Sequence, residues 1–424
     1  MAYSQAATRI ALVAIVSVFL IALSPTSAWS VDAPAAAEEQ VSYPSELSEI
    51  PAPEVDDPIS EAEMQDLQTI ASDLGMTLKE AIARFAWNDN FSLAVDQIRA
   101  RYLEHFSGAA IVGASEAWVA FSGDTPLGAQ EFIDRFADSM PGSSVTVKVV
   151  EGRGFTEFDL EQGVQSVHYE LMNDQSVASV SSGYDIATGV ITSVVMLAEG
   201  ADDSVVASLA KAAHHNLPAG ISVVVSRSDV GRLGHAEAGA DFHYGGETIS
   251  GCTSGFAVIS PTGVRRIATA GHCNDAQTDD GDALPFFWDY EGSLGDFQLN
   301  NGTEPIRDDF YSGNDSTLEV NLRDVSAALT PTVGMAICKN GKTTYKDCST
   351  VRALGHCYGA VCNIVLAEHD ITEVGDSGGP WYYGNVAYGI HWGVKADPIW
   401  PFLRSGFSRA GRLYNASSHI IATN

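Results

Sequence analysis

Ser377 stands in the run GDSGGP, residues 375–380, a serine between one acid and a cluster of glycines. A serine hydroxyl is a weak nucleophile at neutral pH and needs a base within hydrogen-bond reach to take its proton. Two upstream runs can supply that base and an acid to orient it. TAGHC, residues 269–273, offers His272, and GSLGDFQL, residues 292–299, offers Asp296. Imidazole has an unperturbed pKa near ~6.5, so it can accept and return a proton around neutrality. A carboxylate beside it fixes the tautomer and stabilises the cation. Glycines let the backbone bend tightly, so that the amides of Gly375 and Ser377 can converge on a developing oxyanion. His272, Asp296 and Ser377 together therefore point to acyl transfer through a serine nucleophile. The competing readings are a structural histidine, a turn carboxylate and a plain glycine turn. Asp282 and Asp289 compete with Asp296 for the acid's role.

The same serine admits a second enzyme reading. GDSGG satisfies the G-x-S-x-G elbow of serine esterases, and Asp397 and His419 follow it in the order Ser, Asp, His. Only 47 residues follow Ser377, however, and WYYGNVAYGIHWG reads as strands where an esterase places a helix. That reading also leaves TAGHC without a purpose.

The elements around these runs are short strands. SGFAVIS, RRIATAG, GDFQLN, TPTVGMAI, VCNIVLAE and VAYGIHWG alternate with Gly, Asn and Asp turns after about residue 240. The pattern predicts an all-β domain over 241–424. PFLRSGFSRAGRLYN is expected to form a short helix near the end. Upstream the texture is different. LKEAIARFAW and LAVDQIRARYLEHF repeat apolar residues at helical spacing, with Ser60/Glu63 and Thr77/Glu80 as capping boxes. EAWVAFSG with AQEFIDRFADSMPGSSVTVKVV, and GVITSVVML with DSVVASLAKAAHHNLPAGISVVV, each read as strand, helix, turn, strand. Pro141 and Pro218 sit at matching points, which predicts two small α+β lobes in series. His214 and His215 are read as helix surface.

Composition bounds the remaining possibilities. The 424 residues carry a formal charge of −31, which excludes an ordinary nucleic-acid binder. From residue 241 onward 21 acidic and 12 basic residues leave only −9 of that, so the acid load lies in the first 240 residues. Arg9 followed by IALVAIVSVFLIAL and small residues predicts a signal peptide over 1–30, too short in its apolar run for a span. No membrane span is expected after its removal. Residues 31–58, rich in Pro, Ala and Glu, read as a flexible segment. The product is expected to be secreted and extracellular. All six cysteines fall between 252 and 362, compatible with three bridges in an oxidising compartment. Their spacing does not match a zinc site, and the chemistry requires no metal and no cofactor.

TAGHC, GDFQL and GDSGGP in this order, with GCTSGFAV and CKNGKTTYKDC, resemble the secreted chymotrypsin-fold serine proteases, and among them the bacterial streptogrisin and alpha-lytic protease family. The resemblance covers most of residues 241–393. It implies an all-β two-barrel chymotrypsin-like catalytic domain preceded by an α+β pro-region. It implies catalysis by His272, Asp296 and Ser377, an oxyanion hole from Gly375 and Ser377, and protein or peptide substrates. It implies the bridges Cys252–Cys273 and Cys338–Cys348, leaving Cys357–Cys362 to close a local hairpin. The two-lobed region 59–240 then corresponds to a pro-region that assists folding and inhibits the cleft, with cleavage near 234–246. The alternative consistent with these residues is a catalytically impaired, protease-like binding protein.

GIHWG resembles the strand that pairs with a bound peptide, placing His391, Trp392 and Gly393 along the substrate. Ile371, Thr372 and Val374 would line the primary pocket and favour an apolar side chain. His391 occupies the place of a serine that supports the catalytic aspartate, and is expected either to bond Asp296 or to turn away. The glycine-rich return segment of the pocket is read as missing or very short, with one pocket wall open or built from Trp400. Lys395, Asp397 and Asp370 are charged residues of the same neighbourhood. Asp376 resembles an aspartate that is paired in the mature protein, its partner unassigned.

Overall fold

The computed structural model describes residues 59–139, 145–201, 204–213, 217–227, 245–279, 282–303, 305–313, 322–396 and 403–423. The expected signal peptide, the segment 31–58, His214, His215, Asp397, Trp400 and residues 234–244 of the processing stretch lie outside them. Among the described residues no helix is long and apolar enough to cross a membrane.

Three helices come first: α1 (Glu61–Asp73), α2 (Leu78–Phe85) and α3 (Asn88–Arg101). The two capping boxes form, Ser60 with Glu63 and Thr77 with Glu80, each satisfying amides that a helix start leaves unpaired. Helix α3 ends before the apolar pattern does. The chain turns at Tyr102 and re-enters as β1 (Phe106–Ile111), whose six residues are all buried.

Two segments share one topology. β1 pairs antiparallel with β2 (Glu116–Phe121), α4 (Ala129–Ser139) crosses over, and β3 (Thr146–Val150) returns parallel to β2. After α5 (Glu157–Met172), β4 (Val177–Asp185) pairs with β5 (Val190–Leu197). Then α6 (Ser204–Ala213) crosses over to β6 (Ser222–Arg227), which is parallel to β5.

The β half is built from several sheets. One six-stranded sheet carries strands 257–259, 265–269, 276–279, 282–292, 295–300 and 420–421. The larger sheet carries strands 336–339, 347–358, 361–367, 380–383, 386–396 and 403–409. That sheet does not stop at its own edge: Cys357 and Tyr358 pair with Ser182 and Ser181 of β4, so β4, β5 and β6 continue it. A strand edge offers unpaired amides and carbonyls, and β4 covers this one.

One local expectation is corrected. Residues 403–409 are a strand, and only Arg412–Ser417 is helical. That strand pairs antiparallel with residues 389–396 on one side and 364–366 on the other.

Candidate active site

His272 follows the buried strand Arg265–Thr269, and Cys273 beside it is bonded to Cys252, which fixes the turn. Asp296 opens the strand Gly295–Asn300 and is fully buried. Its Oδ1 accepts the His272 backbone amide at 3.0 Å and its Oδ2 meets His272 Nδ1 at 2.6 Å. A methyl group at Gly271 would lie 2.7 Å from Asp296 Oδ1, so the close approach requires glycine there. His272 Nε2 lies 3.0 Å from Ser377 Oγ. The three side chains thus form one hydrogen-bonded chain from a buried carboxylate to a half-exposed hydroxyl. Asp282 and Asp289 lie instead in the hairpin strand 282–292, opposite Asp279 and Gln298.

The turn before Ser377 is held from several sides. Thr253 donates its amide to the Ser377 carbonyl at 2.7 Å and its hydroxyl to the Gly375 carbonyl at 2.8 Å. The Asp376 amide bonds the Glu373 carbonyl at 3.1 Å, and the Gly378 amide bonds the His391 carbonyl at 2.9 Å. Among the described residues, the amides of Gly375 and Ser377 have no acceptor within the protein.

Asp376 now has its partner. Lys339 Nζ lies 3.4 Å from Asp376 Oδ2, with both side chains fully buried. Burial pushes the Asp376 carboxyl up, but the Lys339 charge, the Thr344 hydroxyl and the Glu373 amide hold it below the usual carboxylate range. The Thr343 amide adds a bond of 2.9 Å. The only sequence signal for this partner is a lysine ending the apolar strand AICK.

His391 does not support Asp296. Its Nδ1 accepts from Trp381 Nε1 at 3.3 Å, its ring bonds the Gly406 backbone, and Trp381 stacks in turn on Phe407. Burial pushes the His391 imidazole down to about 3, so it is neutral at neutral pH. The group that reaches Asp296 from the second sheet is Ser408, whose Oγ accepts the Asp296 amide at 2.9 Å.

The other pocket residues are distributed unevenly. Ile371 is half-buried and Val374 exposed, whereas Thr372 is buried with its hydroxyl 2.7 Å from Ser405 Oγ. Trp392 is buried against Val361, Ile364 and Leu366, with Tyr358 packed on it. Gly393 lies opposite Gly406 in the ladder. Asp370 accepts from Ser405 Oγ at 3.0 Å and so braces the loop rather than standing free. Cys338–Cys348 and Cys357–Cys362 are also bonded. His419 lies beside Arg266, 2.9 Å from its guanidinium, and the segment after Ser377 is the strand Pro380–Tyr383. The esterase arrangement is thus without its histidine and its helix.

The chain is 30% identical to glutamyl endopeptidase 2 of Streptomyces griseus over 168 residues, 35% of this chain and 81% of that protein. It belongs to the family of chymotrypsin-like serine proteases that this enzyme represents. It is also 32% identical to serine protease 1 of Streptomyces fradiae over 174 residues, 37% of this chain. The match spans only 44% of that protein's own length. Among solved structures, a Nocardiopsis protease matches at 21% identity with a TM-score of 0.36, covering 42% of this chain and 98% of that one. A glutamic acid specific serine protease, which uses a histidine triad in substrate binding, matches at 25% identity and a TM-score of 0.34. That match covers 45% of this chain and 98% of the other. No family model matches the chain.

Proposed function

We propose that this chain is a secreted serine endopeptidase made as a zymogen, hydrolysing peptide bonds through an acyl-enzyme on Ser377. The observation that carries the reading is the hydrogen-bonded chain Ser377–His272–Asp296 beside two amides without internal acceptors. His272 takes the Ser377 proton as Oγ attacks the scissile carbonyl, then gives it to the leaving amine. Asp296, accepting from both the ring and the backbone of His272, holds the tautomer that leaves Nε2 free to act as base. The Gly375 and Ser377 amides stabilise the oxyanion, and a water repeats the cycle to release the acid. Substrates are proteins or peptides. The strand Val386–Ala396, which carries His391, Trp392 and Gly393, is the one this reading pairs with an extended peptide.

In this reading residues 59–240 are the pro-region and 241–424 the protease in a two-barrel arrangement. An all-β domain rich in non-local contacts folds slowly, and a region docked on its sheet edge can lower that barrier. The name of glutamyl endopeptidase 2 makes an acidic preference the first specificity to test against the apolar preference read from Ile371 and Val374.

The test is labelling of the secreted protein with a fluorophosphonate. The expected adduct sits on Ser377 and disappears in Ser377→Ala. Absence of labelling in an otherwise folded wild type overturns the reading in favour of a protease-like binding protein.

A further inference from the structure

We propose that Thr343 is a positioning residue for the oxyanion site, holding the Val374–Gly375 peptide so that the Gly375 amide faces the developing charge. The proposal rests on the serine-peptidase reading. It follows from the planarity of the peptide unit, in which the N–H and C=O of one unit point in opposite directions. The direction of each oxyanion donor is therefore set by what holds the carbonyl of the preceding residue.

The two donors differ in how they are held. The Ser377 amide shares its peptide with the Asp376 carbonyl, which accepts the Gly379 amide at 2.9 Å. That bond is backbone to backbone. The Gly375 amide shares its peptide with the Val374 carbonyl, which accepts the Thr343 hydroxyl at 2.7 Å. Thus one donor is aimed by the main chain and the other by a single side chain.

Thr343 is itself fixed. Its amide bonds Asp376 Oδ1 at 2.9 Å, and the next amide, of Thr344, bonds the same oxygen at 3.2 Å. The loop that carries both is closed by Cys338–Cys348. It packs directly on the outside of the turn: a methyl at Gly375 would lie 2.5 Å from Thr343 Oγ1 and 2.7 Å from Lys342 Cε. Thr343 therefore ties the buried Asp376 carboxylate to the peptide that aims the neighbouring donor.

The clamp matters because, among the described residues, no other bond holds the Val374 carbonyl. Gly375 has φ +106°, a conformation in which a glycine rotates its flanking peptides with little penalty. Val374 is 43% exposed, so packing of its side chain does little to fix the peptide. With the hydroxyl removed, the Val374–Gly375 peptide can turn its carbonyl oxygen, rather than the amide, toward the site. Such a turn repels the oxyanion and leaves ground-state peptide binding largely intact.

The experiment uses protein secreted from a host expressing the full chain, comparing wild type, Thr343→Val and Thr343→Ser. Turnover of a peptide amide and inhibition by a peptide aldehyde, which forms a tetrahedral adduct, are measured together. Thr343→Val is expected to lower kcat by about 10- to 100-fold, less than the ~10²–10³ seen on deleting a donor outright. KM should change less than about twofold, aldehyde affinity should fall by the same factor as kcat, and Thr343→Ser should restore both. Unchanged kcat in Thr343→Val, a loss confined to KM, or an equal loss in Thr343→Ser overturns the proposal while wild type stays active. If Thr343→Val is not secreted, Thr343→Ala carries the same comparison. A wild type that neither labels with fluorophosphonate nor cleaves peptide overturns the peptidase reading instead.

Discussion

The His356 ring of the β half lies against the Gly183 backbone of β4, so closely that a methyl group at Gly183 would overlap ring atoms Cε1, Nε2 and Nδ1. This contact sits beside the ladder in which Cys357 and Tyr358 pair with Ser182 and Ser181. Glycine at 183 is therefore what lets the N-terminal region join the larger sheet. Gly183→Ala is expected to destabilise the joined state by about 1–3 kcal/mol through overpacking. Urea unfolding of the full-length Ser377→Ala protein measures this, and an unchanged midpoint would show that the junction tolerates the methyl.

The same junction predicts an acid sensitivity. His168 of α5 lies 3.0 Å from Ser182 Oγ of β4 and, across the junction, 2.7 Å from the Gly359 carbonyl. Burial, helped by the Lys395 charge, pushes His168 down to about 4. Burial also puts His356 well below its ordinary range, with Lys395, Arg404 and Arg352 adding to the effect. Both rings are neutral when docked and free to take a proton when the junction opens. Open protein therefore binds more protons below pH ~6.5, and stability falls as pH drops from there. For His168 the loss is complete near pH 4 and amounts to about 3 kcal/mol. Carboxylates act in a lower window. Burial pushes the Glu161 carboxyl up, but Arg409 and Arg412 hold it down to about 2, so its contribution fades only below pH ~4.5. Urea midpoints of full-length Ser377→Ala at pH 7 and pH 4.5 should differ, and His168→Gln should shrink the difference. Equal midpoints at the two pH values would refute the assignment.

Lys339 and Asp376 give a prediction about the turn. Asp376 receives the amides of Glu373, Thr343 and Thr344 as well as the Lys339 charge. Lys339→Met leaves that carboxylate buried without its cation, which typically destabilises by about 3–5 kcal/mol. Activity should fall with it, because the turn that carries Gly375 and Ser377 is built on Asp376. Thermal melting and peptide turnover of the variant check both. A variant that melts like wild type would show that the amides alone suffice.

The sequence made part of this arrangement legible. Local chemistry was readable: the capping boxes of α1 and α2, the glycine turn at Ser377, and the hairpin closed by Cys357 and Cys362. Relations between distant segments were not. Lys339 and Asp376 are far apart in sequence, and a lysine in an apolar strand does not name its counterion. The run PFLRSGFSRAGRLYN reads as a short helix, whereas residues 403–409 form a strand. The strand is buried through most of its length, so it lacks the alternation that marks a half-buried strand. No residue of β4 announces that its outer edge meets Tyr358 rather than solvent. The position of His391 in GIHWG allows either a bond to Asp296 or a ring turned away, and the ring turns away. Its actual partners, Trp381 and Gly406, follow from which way the ring turns, and spacing does not reveal that.

The final prediction separates Asp296 from His391. Both oxygens of Asp296 accept from His272, one from the backbone amide and one from Nδ1. An asparagine can supply only one acceptor oxygen, so its NH2 group faces either the amide or the ring. If it faces the ring, Nδ1 must give up its proton and Nε2 carries one instead, which leaves Ser377 without a base. Asp296→Asn is therefore expected to lower kcat by ~10⁴ with little change in KM. His391→Ala makes no such change at His272, since its bonds run to Trp381 and Gly406. It leaves the Trp381 indole N–H buried without its acceptor, at about 1–3 kcal/mol of stability. Its kcat should stay within about tenfold of wild type, far from the loss at Asp296. Steady-state kinetics of the two variants beside their melting curves decide the matter. A His391→Ala enzyme that folds like wild type but loses activity as deeply as Asp296→Asn would put His391, rather than Ser408 and the His272 backbone, in charge of holding Asp296.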